Sequence, residues 1–433
     1  MLDIRLIRKD PEKVRKNIER RHKVVYLENF DKLVSVDLEQ RKKQSELDAK
    51  RAEHNKLTRK IAELKKSAQP TEEIEKQAAL LANEVSKLEL ELERLSQERE
   101  RLLKLIPNLL DDAVPDGLDE TQNRVVKVVG EPPKFSFQPK SHIELINELD
   151  LADLERAAKI SGSRFYFLKN ELVLLDLAVL RFALDKLVEK GFTPIFPPEM
   201  MRREPYEGVT PLADFEDTMY KIQDDDLFLI ATSEHPLVAM HMDETFEPDE
   251  LPKKYAGISV NFRREAGAHG KDTKGIFRVH NFNKVEQVIF CKPEDSSKYL
   301  FELLNNAEEI FQALEIPYRV VEICSGDISP KNARQFDIEA WLPAQQTYRE
   351  VVSTSNCTSY QAVSLRIKYR LKRGSPEKDY VHTLNSTAVA TPRALVAILE
   401  NHQREDGSVR IPSALVPYMG GKKEIVAKKL NTK

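Results

Sequence analysis

"FRREAGAHGKDTKGIFRVHNFNKVE", residues 262–286, sets Arg263, Arg264 and Glu265 before a glycine-rich centre and Arg278, Phe282 and Glu286 after it. "GAHGKDT", residues 267–273, superficially resembles a phosphate loop, but two residues separate its glycines where that loop needs four. Asp272 follows the lysine, and no helix signal comes after it. The stretch therefore reads as two antiparallel strands joined by a tip in which Gly267, Gly270 and Gly275 permit the turn. Residues of one parity share a face of a strand. Arg263 and Glu265 then project together, and Arg278, His280, Phe282, Lys284 and Glu286 form a second row. Such a wall offers guanidinium groups to phosphate or carboxylate, a ring to a planar ligand and a carboxylate to an amine or hydroxyl. An exposed amphipathic hairpin with cross-strand ion pairs is the plainer alternative.

Around this hairpin, helix and strand signals mix. A helix is expected over 171–190, and strand-like runs recur at "LFLIAT", "AGISVNF", "IFRVHNFNKVEQVIF" and "YREVVSTSN". Strands that follow one another through loops point to an α+β fold, an antiparallel sheet flanked by helices, rather than a doubly wound array.

Upstream, apolar residues recur in steps of four and three: Ile74, Ala78, Leu81, Val85, Leu88, Leu92, Leu95, then Leu102 and Ile106, with Arg99 the polar member. This is a coiled-coil heptad. A partner helix runs from about Leu33 to Lys66, with Leu47, His54 and Ile61 at one heptad position and Lys50, Leu57 and Leu64 at the other. The break "SAQPTEE" at 67–73 is too short for a crossover, so the two helices must fold back as an antiparallel hairpin. Residues 41–66 hold ten Lys or Arg against four Asp or Glu, whereas 71–104 hold six against nine. A solvated coiled-coil surface and an arm for a polyanion both fit that asymmetry. Five prolines between 107 and 140 suggest a linker with one short strand at "RVVKVV". The expected division is 1–110 for the helical domain and 111–433 for the sheet domain.

A chain of 433 residues with 41% hydrophobic residues can bury a large core and carry an appendage. Its charge of -3 is the balance of 68 basic and 71 acidic residues, so affinity for nucleic acid would have to come from local patches. Cys291, Cys324 and Cys357 are far apart and form no CxxC, which argues against a disulfide framework or a zinc knuckle and favours a reducing cytoplasm. The start "MLDIRLIRKDPEKV" lacks a signal peptide's apolar stretch, and "ELVLLDLAVLRF" is interrupted by Asp176, so no membrane association is expected.

With "GFTPIFPP" at 191–198 and "NSTAVATPRALVAILENHQ" at 385–403, the hairpin resembles the three signature motifs of class II aminoacyl-tRNA synthetases. "TSEHPL" at 232–237, "REVVSTSNCTSYQ" and "DGSVRIPSALVPYMGG" narrow the resemblance to seryl-tRNA synthetases, most of all the archaeal branch, along essentially the whole chain. The resemblance implies ATP-dependent activation of L-serine to seryl-adenylate, with Mg2+, and transfer to tRNA(Ser), with tRNA(Sec) left open as a second acceptor. It implies a homodimer through the 170–200 region and a hairpin that grips the tRNA's long variable arm. Candidates for that grip are Lys42, Lys43, Lys50, Arg51, Lys56, Arg59 and Lys60.

By the same resemblance, Arg263, Glu286 and Arg393 form the catalytic centre, with Arg263 bridging the α-phosphate of ATP and the serine carboxylate. ATP would also meet Arg264, Glu265, Arg278, Val279 and the segment Glu350, Val351, Val352 and Ser353. Phe282 and Arg393 would cover the two faces of the adenine, and Glu350 and Ser353 would ligate Mg2+. Thr232, Ser233, Glu234, Glu286, Asn385 and Thr387 would receive serine. His235, His269 and His280 are scattered and read as structural, and Trp341 as packing. Two departures stand out: "QAVS", Gln361 to Ser364, occupies the place of the usual QARR, and Ala231 that of a proline. Serine activation with a different acyl acceptor, and a non-catalytic RNA-binding descendant, are the competing readings. The basic hairpin opposes the first, and the retained Arg263, Glu286, Glu350 and Arg393 oppose the second.

Overall fold

The computed structural model of the chain describes residues 1–210, 218–265 and 274–427. It forms two compact units, Met1–Pro107 and Asn108–Lys433. The glycine tip 267–273, His269 included, lies outside the described residues.

In the first unit, short helices α1 (Ile4–Lys9) and α2 (Pro11–Glu19) precede the long helices α3 (Val24–Lys66) and α4 (Glu72–Leu105). With 43 residues, α3 is roughly 65 Å long at about 1.5 Å per residue. It begins before the heptad does, because its first turns serve the short helices: Arg15 of α2 donates to Asp31 of α3 at 3.0 Å, and Arg8 of α1 donates to the buried Asp37 a little further along at 2.6 Å. α3 ends on Lys65 and Lys66, and α4 opens on Glu72, Glu73 and Glu75, charges that suit the helix dipoles on either side of the break. The predicted seam is present, with Leu47, Leu81, Leu88, Leu92 and Leu95 buried. Lys43 meets Glu91 at 3.0 Å, Lys50 meets Glu84 at 2.6 Å and Lys65 meets Glu75 at 2.7 Å, so residue numbers run in opposite directions along the two helices. The hairpin is antiparallel. Arg99, the polar heptad member, donates to Gln40 at 2.6 Å.

The second unit is built on an eight-stranded sheet of β1 (Arg124–Val129), β2 (Thr193–Ile195), β3 (Lys253–Phe262), β4 (Asn281–Cys291), β5 (Tyr318–Glu322), β6 (Arg334–Leu342), β7 (Thr347–Asn356) and β8 (His382–Ala390). Its order is β1-β5-β6-β7-β8-β4-β3-β2, and every pair is antiparallel except β2 with β3. The Pro-rich stretch therefore supplies an edge strand, and its Leu110 and Val114 pack on Val321, Ile323 and Ile328. Helices α5 (Asn170–Glu189), α6 (Ser296–Ala313) and α7 (Thr391–Asn401) share one apolar cluster with the sheet. α7 is buried along its length apart from the half-buried Arg393. No helix among the described residues is long and apolar enough to cross a membrane.

Two expected strands are shorter than their apolar patterns suggest. "LFLIAT" contributes only Phe228–Leu229. The run beginning at Ile276 becomes a strand only at Asn281, so Arg278 and His280 precede the ladder instead of alternating along it. The Arg263 N–H still donates to the His280 carbonyl at 2.8 Å, but the Arg264 N–H turns to the Thr218 carbonyl. Glu265 then takes φ 49° and Gly275 φ 78°, which carries the backbone out of the sheet. A Cβ on Gly275 would lie 2.1 Å from His142 Nε2, so close approach as well as φ demands glycine there.

Candidate active site

The middle of the sheet supplies most of the site. Glu286 on β4 lies opposite Gly257 on β3 and Thr387 on β8. Strand alternation places Phe282, Lys284 and Glu286 on one face, and all three line a cavity of about 270 Å³. Thr387 donates to Glu286 at 3.2 Å. Gly257 lets the segment bearing Thr232 and Glu234 pack directly on β3, since a Cβ there would stand 2.8 Å from Ser233 Oγ.

Glu350 and Ser353 are three residues apart and would face opposite sides of a regular strand. A register shift between Ile338 and Glu339 lets β7 take up Val351 as an extra residue, so Glu350 pairs with Glu339 and Ser353 with Asp337. That bulge turns Glu350 and Ser353 to the same side, and both line the cavity. Gln335 bridges Asp337 and Ser353 at 3.0 and 3.1 Å. Burial and the Glu350 charge push the Asp337 carboxyl well above its ordinary range. A corner of carboxyl and hydroxyl oxygens of this kind suits a hard divalent cation held by few protein ligands. No group of three or more His, Cys, Asp or Glu forms a metal cage among the described residues.

Of the residues expected at the site, Thr232, Glu234, Arg263, Glu265, Arg278, Val279, Phe282, Glu286, Glu350, Val351, Ser353, Asn385, Thr387 and Arg393 line this one cavity. Ser233 does not; its hydroxyl donates to the Gly257 carbonyl at 3.4 Å beneath the floor. Val352 points into the core, because the bulge sends its neighbours the other way. Arg264 lines a separate depression with Arg203, Tyr220, Lys221 and Phe228.

Several polar groups of the site occupy one another. Arg278 donates to Glu265 at 2.6 Å, and Arg393 to the Glu350 carboxylate at 3.1 Å. The Arg263 guanidinium lies 5.2 Å over Phe282, while Arg393 lies 5.3 Å over Phe277. The wall at Phe282 is therefore built, and the Arg393 face is turned to a different ring. Lys284 sits 2.6 Å from Thr232 and 2.5 Å from Glu286. Burial lowers Lys284 and raises Glu286, each towards its neutral form.

Lys331, Phe277, Asn332, Gln335 and Ser355 also line the cavity, and sequence reasoning assigned none of them. The parity of Lys284 with Phe282 and Glu286 was a usable signal. Lys331, in the loop "SPKNAR" between β5 and β6, had none. Where they are described, the histidines bond within the fold: His235 hydrogen-bonds Tyr206 at 2.9 Å, and His280 donates to the Arg263 carbonyl at 2.8 Å. Trp341 packs edge-on to Tyr348. Gln361, first residue of "QAVS", is fully buried and bonded to Glu234 and Thr383, so that departure begins inside the core.

Family models match two stretches of the chain: the seryl-tRNA synthetase N-terminal domain over residues 1–110, and the class II tRNA synthetase core domain (G, H, P, S and T) over residues 218–402. A serine–tRNA ligase of Methanocella arvoryzae is 52% identical over 421 residues, 97% of this chain and 99% of that protein. The crystal structure of seryl-tRNA synthetase from Pyrococcus horikoshii complexed with ATP superposes with a TM-score of 0.94 at 46% identity, covering 99% of this chain and 100% of that one. The cytoplasmic serine–tRNA ligase of Naegleria fowleri in complex with AMP gives a TM-score of 0.88 at 36% identity, with 99% of each chain covered.

Proposed function

Because the chain belongs to the seryl-tRNA synthetases, we propose that it activates L-serine with ATP and charges tRNA(Ser) through the residues gathered in its central cavity. The observation that carries this is the juxtaposition of carboxylates and guanidinium groups in one enclosure: Glu234 and Glu286 suit an ammonium, and Arg263 suits both a carboxylate and an α-phosphate. The serine carboxylate attacks the α-phosphorus, an O–P bond forms, and the bond to the β-phosphate breaks as pyrophosphate leaves. Arg263 holds attacking and attacked groups together, and Arg278, released from Glu265, takes the departing phosphates. Glu350 and Ser353 are the residues that would hold Mg2+, whose part is to neutralise phosphate charge. In the second half-reaction the terminal ribose hydroxyl of the tRNA attacks the seryl carbonyl, an ester bond forms, and the bond to AMP breaks, AMP leaving with the bonding electrons while the hydroxyl proton passes to its phosphate.

Positioning and charge neutralisation suffice for this chemistry. The nearby Cys357 thiol is pushed up to about 12 by burial and is no nucleophile.

The hairpin serves the large partner. Lys43, Lys50 and Arg51 are paired with Glu91, Glu84 and Glu89, whereas Lys42, Lys56, Arg59 and Lys60 have no ion pair among the described residues. Those four are the cations best placed to meet phosphates. Val173, Leu174 and Leu177 on α5 and the 80% exposed Phe196 leave an apolar face that suits a second copy of the chain. Three free, buried thiols suit a reducing cytoplasm.

The decisive experiment is exchange of labelled pyrophosphate into ATP with each of the twenty amino acids, followed by charging of total tRNA. Exchange with serine alone, and acylation of serine acceptors, is expected. Exchange that ignores serine overturns the reading.

A further inference from the structure

The amino-acid end of the cavity contains a cation that the family reading does not use. Lys331 reaches Glu234 with its ammonium, and both side chains are nearly enclosed, 13% and 6% exposed. Glu234 Oε1 also accepts from Gln361 Nε2 at 2.9 Å. Oε2 accepts no hydrogen bond among the described residues, although Glu234 lines the cavity. The loop that carries Lys331 is anchored on both sides. Asn108 donates to the Lys331 carbonyl at 2.9 Å, and Asn332 donates to Ser355 at 2.8 Å. Gln361 is itself held by Thr383, which donates to it at 2.6 Å.

We propose that Lys331 is a positioning residue of the serine subsite, fixing Glu234 through Oε1 so that the charged carboxylate presents Oε2 to the substrate's ammonium or hydroxyl. A buried carboxylate without a cation beside it takes up a proton and loses the charge that would attract an ammonium. Here burial alone would push the Glu234 carboxyl up; the Lys331 ammonium, foremost among the groups that oppose burial, acts with the Gln361 hydrogen bond and with His235 once that ring is protonated, and together they hold the carboxyl at about 2. The other groups facing it are His235 and Tyr206 on one side, Lys284 and Glu286 on β4, and the Cys357 thiol. His235 is neutral, because burial lowers it to about 3, and Lys284 is engaged by Glu286. Lys331 is therefore the cation that keeps Glu234 ionised. The neighbouring pair behaves in the opposite way: burial pushes Glu286 up and Lys284 down. One carboxylate of the subsite is charged at neutral pH, and the other shares its charge with the Lys284 beside it.

This inference rests on the serine-activating reading, and the test separates the two. Serine-dependent pyrophosphate exchange in the unaltered chain comes first: its absence sinks that reading and this inference with it, whereas exchange that is present in the parent and indifferent to Lys331 sinks this inference alone. Lys331→Met should then raise the KM for serine about 10- to 100-fold, as removal of one charged hydrogen bond does, with the KM for ATP near that of the parent and a lowered melting temperature, since the buried Glu234 loses its partner. The altered enzyme should also lose serine affinity progressively from about pH 8 to about pH 6 while the parent stays flat, because Glu234 is no longer held ionised. Lys331→Arg should restore the flat profile. In a Glu234→Gln background, Lys331→Met should cost far less than it does alone. A serine KM within about two-fold of the parent, a pH profile unchanged by Lys331→Met, or additive effects in the double variant would each overturn the proposal. If Lys331→Met does not fold, Lys331→Gln is read in the same way, and failure of both to fold makes Lys331 purely structural.

Discussion

In the helical hairpin, Lys50 meets Glu84 with 28% and 55% of the two side chains in solvent, whereas in the sheet unit Lys331 meets Glu234 with 13% and 6%. The pairing is chemically the same and the consequences differ. Water and salt screen the first pair, so it holds helix register weakly, and a phosphate has to compete with Glu84 for the lysine. The second pair has left water, so each member depends on the other to remain charged. Charge on the hairpin is available to a large partner, and charge in the cavity is committed to a small one.

The largest test of that contrast is Arg263→Lys. An ammonium cannot make two forked contacts at once, so serine-dependent exchange should fall about 10²- to 10³-fold while the protein melts where the parent does. Exchange within a few-fold of the parent would remove Arg263 from the centre of the mechanism.

Next in size is a comparison between two sets of hairpin cations. Changing Lys42, Lys56, Arg59 and Lys60 together to Gln should raise the tRNA concentration needed for charging by roughly 10²-fold at low salt. It should also reduce the logarithmic salt slope by about 0.9 for each duplex phosphate that is no longer neutralised. The paired set Lys43, Lys50 and Arg51 should cost markedly less, and neither change should alter pyrophosphate exchange. Equal losses from the two sets would mean that the ion pairs do not decide which cations reach RNA.

Thr387→Val probes the cavity's discrimination. Thr387 donates to Glu286, and a site built around a substrate hydroxyl rejects the analogue lacking it because polar groups are left unpaired. The preference for serine over alanine in exchange should shrink about ten-fold or more. A ratio equal to the parent's would take Thr387 out of the serine subsite.

The smallest effect concerns stability. Burial lowers His235 from 6.5 to about 3 and His382 from 6.5 to about 4. Each is neutral when folded and takes a proton when unfolded. The stability they allow is complete above pH 6.5 and drains away as pH falls towards those folded values, by about 1.4 kcal/mol per pH unit for each histidine. Glu234 runs later, since its contribution is present above 4.5 and lost as pH falls towards about 2. Urea midpoints of the parent should therefore decline below pH 6.5, before the carboxylate range, and His235→Gln should make that decline shallower. Parallel curves for the two proteins would show that His235 is not buried neutral.

Much of the hairpin was legible because a helix repeats locally: Leu81, Leu88 and Leu95 sit seven residues apart, and that spacing alone states which face is covered. The run 262–286 was legible in outline, since strand parity put Phe282 and Glu286 on one wall. The same parity misjudged Arg278 and His280, because positive φ at Glu265 and Gly275 removes them from the ladder. Nothing local announces such a departure. Parity would also have separated Glu350 from Ser353, and the motif resemblance put them together without the reason, which is one extra residue in β7.

The sequence by itself determined the period of the coiled coil, the sign of charge on each of its helices, and the residue types able to meet a zwitterion and a polyphosphate. These are properties of neighbours along the chain. The tertiary structure alone decided that Lys331 would stand beside Glu234, 97 residues away, that Arg278 would close on Glu265, and that three of the hairpin's seven candidate cations would be taken up by the opposite helix. A buried charge is tolerable only when its partner arrives. That arrival depends on sheet register, bulges and loop anchors, which fold distant segments together and leave no period in the sequence.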